Sequence, residues 1–392
     1  MDFVHLAEQY KSELLENVLP FWLNHSRDRE YGGYLTCLER DGSVFDTDKF
    51  VWLQARQVWM FSMLCNRLDI RDEWLECAVD GAEFLRKYCH DGNLNWYFSV
   101  TREGLPLVQP YNIFSYTFAT MAFAQASIAT GNAEYGQIAR QTFERILEKQ
   151  AAPKGQWEKS VPETRPMKGF SLPMILSNLA LEIEPMIDMA LFDRTIEECL
   201  HEVMEVFYRP ELGLIVENVT LDGRLADTFE GRLLNPGHAL EAMWFIMDLG
   251  VRLSRPELID KAVAIALNTV QYGWDEKFGG IFYFMDRLGR PPQQLEWDQK
   301  LWWVHIETLI TLLKGYRLTG SKRCLQWFEK VHNYTWTHFR DEFHGEWFGY
   351  LDRRGEPLLS LKGGKWKGCF HIPRGLFQCW QTLEQIVQSP SL

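Results

Sequence analysis

Three histidines, His238, His305 and His371, stand 67 and 66 residues apart, and each opens an apolar stretch that follows a glycine-containing turn. A side chain that changes charge near neutral pH, repeated at one position, suggests that matching points of several similar units converge on a polar site. Asn235 and Pro236 supply an N-cap and a first-turn proline ahead of His238, so Glu241 and Trp244, three and six residues on, fall broadly on its face. An imidazole, a carboxylate able to hold it and an aromatic wall then share one strip. The competing reading is a core histidine satisfied by a glutamate; the pair's place at the mouth of an inner segment, near Glu230 and Arg232, favours chemistry. His371 takes the matching place two units later, behind Gly363, Gly364 and Gly368, with Cys369 two residues away. Two such bases on different walls of one pocket suit removal of a proton from one face of a carbon and its return to the other.

Other residues fall near the same repeat offset. His305 and Glu307 are two apart and cannot both face inward on a regular helix, so one of them packs rather than reacts. Arg56 is a charge inside a strongly apolar segment and needs a partner there, either a structural carboxylate or a substrate oxygen. Tyr111, Asn112 and Asn178 sit at similar mouths, where they bind hydroxyls or serve as caps and satisfied core amides. The remaining histidines, His5, His25, His90, His201, His332, His338 and His344, fall on outer segments or loops and read as structural or solvated. No H-E-x-x-H or similarly tight ligand spacing points to a metal, although His238, Glu241 and His371 could close around an ion. Neither a phosphate-binding P-loop nor a dinucleotide fingerprint is present.

The elements that must position these residues are repetitive. Turn glycines at Gly42, Gly104, Gly223, Gly289 and Gly355 recur at intervals of about 62, 119, 66 and 66 residues, and the double interval implies one unit without a hairpin, hence six units. Aromatic, alternating runs such as Ile281-Phe282-Tyr283-Phe284 and Trp347-Phe348-Gly349-Tyr350 frame the turns as short hairpins. Segments 50–64, 112–127, 170–183, 235–249, 298–313 and 368–383 are apolar nearly all round, which predicts helices buried on all sides. Segments 3–23, 72–88, 133–149, 192–208, 256–273 and 322–339 are amphipathic and predict an outer ring. Twelve such helices close as six antiparallel pairs: an all-α chain folded as an (α/α)6 barrel, with short β-hairpins and the inner-helix starts gathered at the active-site end.

Bulk properties narrow the function. No linker or low-complexity run interrupts the repeat over 392 residues, which predicts one catalytic domain spanning 1–392. The 16 Trp, 14 Tyr and 25 Phe suffice for both an inter-ring core and an aromatic-lined pocket. A net charge of −12 and the lack of a basic cluster exclude nucleic acid as a partner. Without a leader pattern or a run long enough to span a membrane, the chain is expected to be cytoplasmic. Eight scattered cysteines lack paired spacing and read as buried thiols.

Taken in order, Arg56, Asn235-Pro236-Gly237-His238-x-x-Glu241, Gln294-x-Glu296-x-Asp298-x-Lys300-x-Trp302-Trp303, Glu307 and the 362–371 segment closely resemble the N-acylglucosamine 2-epimerase family, whose animal members are also described as renin-binding protein. The resemblance runs over essentially the whole chain. It implies a homodimeric barrel that interconverts N-acetyl-D-glucosamine and N-acetyl-D-mannosamine, an amino-sugar substrate, and ATP as an activator that is not consumed. It implies that His238 and His371 are the acid/base pair and that no cofactor is required for the chemistry. By the same resemblance Arg56, Glu241 and Glu307 form the supporting polar shell; Tyr111, Asn178, Trp244 and Trp303 are the further candidates for contacts to the sugar. Related branches act on cellobiose or mannose, and the His305 position is not histidine in all of them, which supports Glu307 as the inward residue. The activator loop would carry Lys149, Lys154 and Lys159, and it departs from the family in Ala151-Ala152 and Trp157-Glu158. Rival readings are a cellobiose 2-epimerase, an aldose–ketose isomerase, an inverting glycoside hydrolase using Glu230, Glu296 or Asp298, and a sugar-binding module without turnover.

Overall fold

A helix with no polar face has to be covered on every side, and six such helices arranged in a ring cover one another when a second ring surrounds them. The computed structural model, which describes residues 1–150, 161 and 164–388, has this arrangement. The inner ring is Val51–Arg67, Phe114–Thr130, Ser171–Ile183, Pro236–Arg252, Trp302–Thr319 and His371–Gln388. The outer ring is Asp72–Tyr88, Ala133–Lys149, Met189–His201, Pro256–Gly273 and Lys322–His338, completed by an N-terminal run of Phe3–Ser12, π-helical Glu13–Val18 and Leu19–His25. The fold is the expected (α/α)6 barrel.

Each inner helix packs on the outer helix that follows it, and the last packs on the N-terminal run, so the sixth pair is made from the two ends of the chain. Inner-to-outer connections are short, as at Gly131-Asn132 and Gly320-Ser321, whereas the returning connections carry the hairpins. The long connections therefore gather at the end where the inner helices begin. All five turn glycines have φ between 72° and 99°. Each donates its amide to the carbonyl three residues back, at Glu39, Thr101, Thr220, Asp286 and Asp352. The fifth inner helix starts at Trp302 rather than near 298, because Lys300–Leu301 is a strand paired with Tyr350–Leu351.

Neighbouring hairpins supply what the helix starts lack. The opening amides of Val51 and Trp302 have no partner within their own helices and donate instead to Phe98 and Gly349 carbonyls of the next unit, both at 3.0 Å. Three ion triads, each a buried Asp–Lys pair with a half-buried arginine, pin the same junctions. Asp28 takes Lys49 and Arg102, each at 2.9 Å; Asp275 takes Lys300 at 3.3 Å and Arg353 at 2.8 Å; Asp341 takes Lys362 at 2.8 Å and Arg40 at 2.7 Å. In each the arginine belongs to a hairpin turn of the following unit, and the last triad joins the sixth unit to the first. Burial pulls the Lys300 and Lys362 ammoniums down to about 8 while their aspartates oppose it, so both remain charged at neutral pH.

Asp341→Asn leaves Lys362 buried without its anion and is expected to remove about 3–5 kcal/mol of stability, the usual effect of unpairing a buried ion pair. Urea unfolding measures it, and a loss under about 1 kcal/mol, the level of an exposed pair, rules out a clamp at the ring closure.

Candidate active site

Arg56, Glu241 and Glu307 are each the sixth residue of an inner helix, so their side chains reach the barrel axis at one level. All three are buried; the two glutamates converge on Arg374, which sequence reasoning missed, and Arg56 shares the Phe370 ring with it. Arg374 Nη2 donates to Glu241 Oε1 at 2.5 Å and to Glu307 Oε1 at 2.6 Å. Glu307 Oε1 also accepts from His371 Nδ1 at 2.8 Å, and Glu307 Oε2 accepts from Trp244 Nε1 at 2.9 Å. A carboxylate only accepts, so the His371 proton is on Nδ1 and Nε2 keeps its lone pair, unbonded among the described residues.

His238 is held differently from the expectation. Asn235 caps its helix, with Oδ1 accepting from the His238 amide at 3.1 Å. Its Nδ1, however, pairs at 3.0 Å with Glu217, a residue sequence reasoning did not select, and not with Glu241, whose carboxylate is taken by Arg374. Glu217 lies on the connection before strand Asn218–Thr220, and nothing local marks it; only the fold brings it to His238. Arg374 did carry a signal, since a charge three residues after His371 within an apolar helix is the kind of feature that singled out Arg56. Both imidazoles pack near one indole: Trp303 lies 5.3 Å from the His238 ring and 5.9 Å from the His371 ring, centre to centre.

Their proton affinities diverge. Burial disfavours charge on both, but the Glu217 carboxylate and its hydrogen bond, with Glu241 behind, outweigh it and raise His238 above the usual imidazole value. At His371 burial is reinforced by the Arg56 cation, and further by Arg374 and His238, against Glu241, so this imidazole is held neutral. Arg56 stacks on Phe118, Trp52 and Phe370 with its guanidinium carbon 4.0, 4.3 and 4.7 Å from the ring centres. Its Nε is buried without a hydrogen-bond partner among the described residues. Burial lowers this guanidinium to about 9, Glu241 and Glu307 opposing, which leaves it cationic at neutral pH. The site thus offers a neutral base, an imidazole whose hold on a proton is strengthened, and a desolvated cation.

His305 does not join them. It is fully buried, accepting from the Ile281 amide through Nε2 at 3.0 Å and donating from Nδ1 to the Leu301 carbonyl at 2.7 Å. Stacked on Tyr334 and pushed by burial to about 3, it is a neutral packing residue, and the convergence of three histidines is corrected to two. Trp244 and Trp303 border the cluster as described; Asn178 is buried on Ser171–Ile183, and Tyr111 lies partly buried against Phe98 at 4.9 Å. Asn112 caps the next helix through the Phe114 amide at 2.8 Å. Glu230 and Glu296 are exposed. Lys149 ends an outer helix with its ammonium 5.6 Å from the Tyr116 ring centre, whereas Lys154 and Lys159 lie outside the described residues. Glu241, Glu307 and His371 have ligand atoms within 4.8 Å of one another, but the Arg374 guanidinium already occupies both carboxylates.

Residues 33–373 match the family model described as N-acylglucosamine 2-epimerase (GlcNAc 2-epimerase). The chain is 38% identical to the N-acylglucosamine 2-epimerase of Mus musculus, over 95% of this chain and 91% of the mouse protein. It is equally 38% identical to that of Homo sapiens, over 96% and 90% of the two chains. The cellobiose 2-epimerase structure from Spirochaeta thermophila DSM 6192 superposes with a TM-score of 0.84 at 20% identity, covering 98% of each chain.

Glu217→Gln keeps a hydrogen-bond partner for His238 but removes the charge. In protein labelled at the histidine nitrogens, His238 is expected to titrate above 6.5 and to fall in the variant, while His371 stays neutral in both. An unmoved His238 midpoint eliminates Glu217 as the source of its charge.

Proposed function

The chain belongs to the N-acylglucosamine 2-epimerase family, and on that premise we propose that it interconverts N-acetyl-D-glucosamine and N-acetyl-D-mannosamine by exchanging the C2 proton of the open-chain sugar. The observation that carries the reading is the pair of imidazoles, shifted in opposite directions in proton affinity and both packed near the one indole of Trp303. An epimerase needs that pairing, because a single base returns the proton to the face it came from. We take residues 1–392 as one catalytic unit.

The open-chain sugar presents C2–H beside the C1 aldehyde. His371 Nε2 takes the C2 proton, and the bonding electrons move into the C1–C2 bond as O1 gains negative charge. Glu307 supports the imidazolium that forms, being already bonded to Nδ1. Arg56, desolvated among three aromatic rings, faces a charge that exists only after deprotonation, which is where a fixed cation lowers a barrier. His238, whose protonated form Glu217 favours, then delivers its proton to the opposite face of C2. In the reverse direction the two exchange roles. Glu241 and Arg374 keep the site's charges compensated, and Trp244, Trp303, Tyr111 and Asn178 are assigned to the sugar. No step draws on a cofactor. ATP activation through the Lys149–Lys159 loop, a homodimer and a cytoplasmic location belong to the same proposal; no helix among the described residues is long and apolar enough to cross a membrane.

Incubating N-acetylmannosamine with the protein in D2O, with and without ATP, tests the reaction: C2-deuterated N-acetylglucosamine is expected, a ketose would make it an isomerase, and no exchange a binder. Arg56→Ala is expected to lower kcat at least about 100-fold, the scale of losing a principal oxyanion donor; near-normal turnover removes Arg56 from that role. The pH profile of kcat/KM should decline on the alkaline side as His238 loses its proton above the ordinary imidazole range, and that limb should move to lower pH in Glu217→Gln.

A further inference from the structure

The turns at Asp28, Asp275 and Asp341 are built alike, and the third departs at one residue. In each the aspartate Oδ1 accepts the amides two and three residues on: Glu30 and Tyr31, Lys277 and Phe278, Phe343 and His344. Five residues after the aspartate the backbone is left-handed, with φ of 67° at Gly33, 73° at Gly280 and 66° at Glu346. Glycine adopts that conformation freely; a glutamate does so only when its side chain is firmly held.

What holds Glu346 follows from a difference in the unit that carries His371. The amide after the left-handed residue is buried and needs an acceptor. Tyr34 N finds Gln54 Oε1 at 2.8 Å and Ile281 N finds His305 Nε2 at 3.0 Å, both acceptors being the fourth residue of an inner helix. Those helices begin two residues after Lys49 and Lys300, but the last begins nine after Lys362, at His371. Trp347 N donates instead to the Oε1 of Glu346 itself, at 2.8 Å. The same carboxylate takes Trp22 Nε1 at 2.5 Å and Lys367 Nζ at 2.9 Å. Lys367 Nζ also donates to the Lys362 carbonyl at 2.8 Å, and Lys362 Nζ to the Glu346 carbonyl at 2.7 Å. Residues 362–370 are thus a strap anchored at both lysines. Its far end sets Trp366 5.7 Å from Trp52, places Phe370 under both Arg56 and Arg374, and delivers His371.

We propose that Glu346 is a positioning residue for His371: it replaces the helix acceptor that the other two turns use and, through Lys367, anchors the strap that carries the imidazole. The inference rests on the epimerase reading for its effect on turnover, and its geometry is tested independently of turnover. Glu346→Gln removes the anion, and Glu346→Gln with Lys367→Met removes both charges, so that no unpaired ammonium remains to unfold the core. In both variants kcat for epimerisation should fall at least about tenfold, as misplacement of a reacting group does, with KM within about twofold. In histidine-labelled protein the His371 ring resonances should shift while those of His238 do not. If Glu346→Gln does not fold, the double variant provides the reading. A double variant with wild-type kcat and unmoved His371 resonances overturns the proposal. If the wild-type protein exchanges no C2 hydrogen, the epimerase reading falls, and the resonances alone decide whether Glu346 positions His371.

Discussion

Charge that cannot reach water is the constraint on which this molecule depends. The inner helices are apolar all round, yet Arg56, Glu241, Glu307, His371 and Arg374 are all buried among them. In such surroundings an unpaired ion is costly, and the arrangement holds only because each charge is answered by another or by an aromatic face. Arg374 answers two carboxylates with one guanidinium nitrogen, while its Nε and Nη1 are buried and unpaired among the described residues. Arg56 is left with three ring faces and no close carboxylate oxygen among the described residues, the state in which a cation has most to gain from an anion that forms during a reaction.

The same constraint separates the two imidazoles. Burial disfavours charge on both, and at His371 the two guanidiniums add to it; without an answering carboxylate at His238 the site would favour two bases and no acid. His238 escapes because its partner, Glu217, comes from the hairpin layer and not from the ring, and because Arg374 has no claim on that carboxylate. His371 shares Glu307 with Arg374, so the anion that would charge it is already neutralised. One carboxylate shared and one unshared is enough to give similar side chains opposite tasks.

What was legible in the sequence was whatever repeats or stands out against an apolar background. The turn glycines, the two helix types and the isolated charge of Arg56 belong to that class, and they are sufficient for the barrel and for which end carries the site. His305 shows the limit of the approach: its spacing matches the other histidines, but it corresponds to Gln54, the acceptor of a turn amide, and it faces away from the axis for that reason. Glu217 could not be read at all, because its pairing with His238 spans 21 residues and is created by a strand connection with no motif of its own. The attribution of Glu241 to His238 failed for a related reason. Helical spacing puts two side chains on one face, but it does not say which of several neighbours a carboxylate will choose, and a buried guanidinium outbids an imidazole that already has a carboxylate.

With the inner helices starting at one end, the sixth residues of three of them, Arg56, Glu241 and Glu307, meet at one level, so chemistry can be changed there without disturbing what closes the ring. Closure is handled elsewhere, by hairpins that cap the helices of their neighbours and by triads that tie Asp28, Asp275 and Asp341 to the next unit. That division explains how a cellobiose 2-epimerase shares the whole architecture at 20% identity. The unit that carries His371 is the exception, since there closure and site are one segment: the strap 362–370 both joins the sixth unit to the first, through the Lys362 and Gly363 amides on the Leu38 carbonyl, and sets the imidazole. Substitutions in that strap should therefore affect stability and proton transfer together, whereas at the sixth position of the Val51–Arg67 helix, Arg56, the two are separable, because no triad or hairpin cap passes through it.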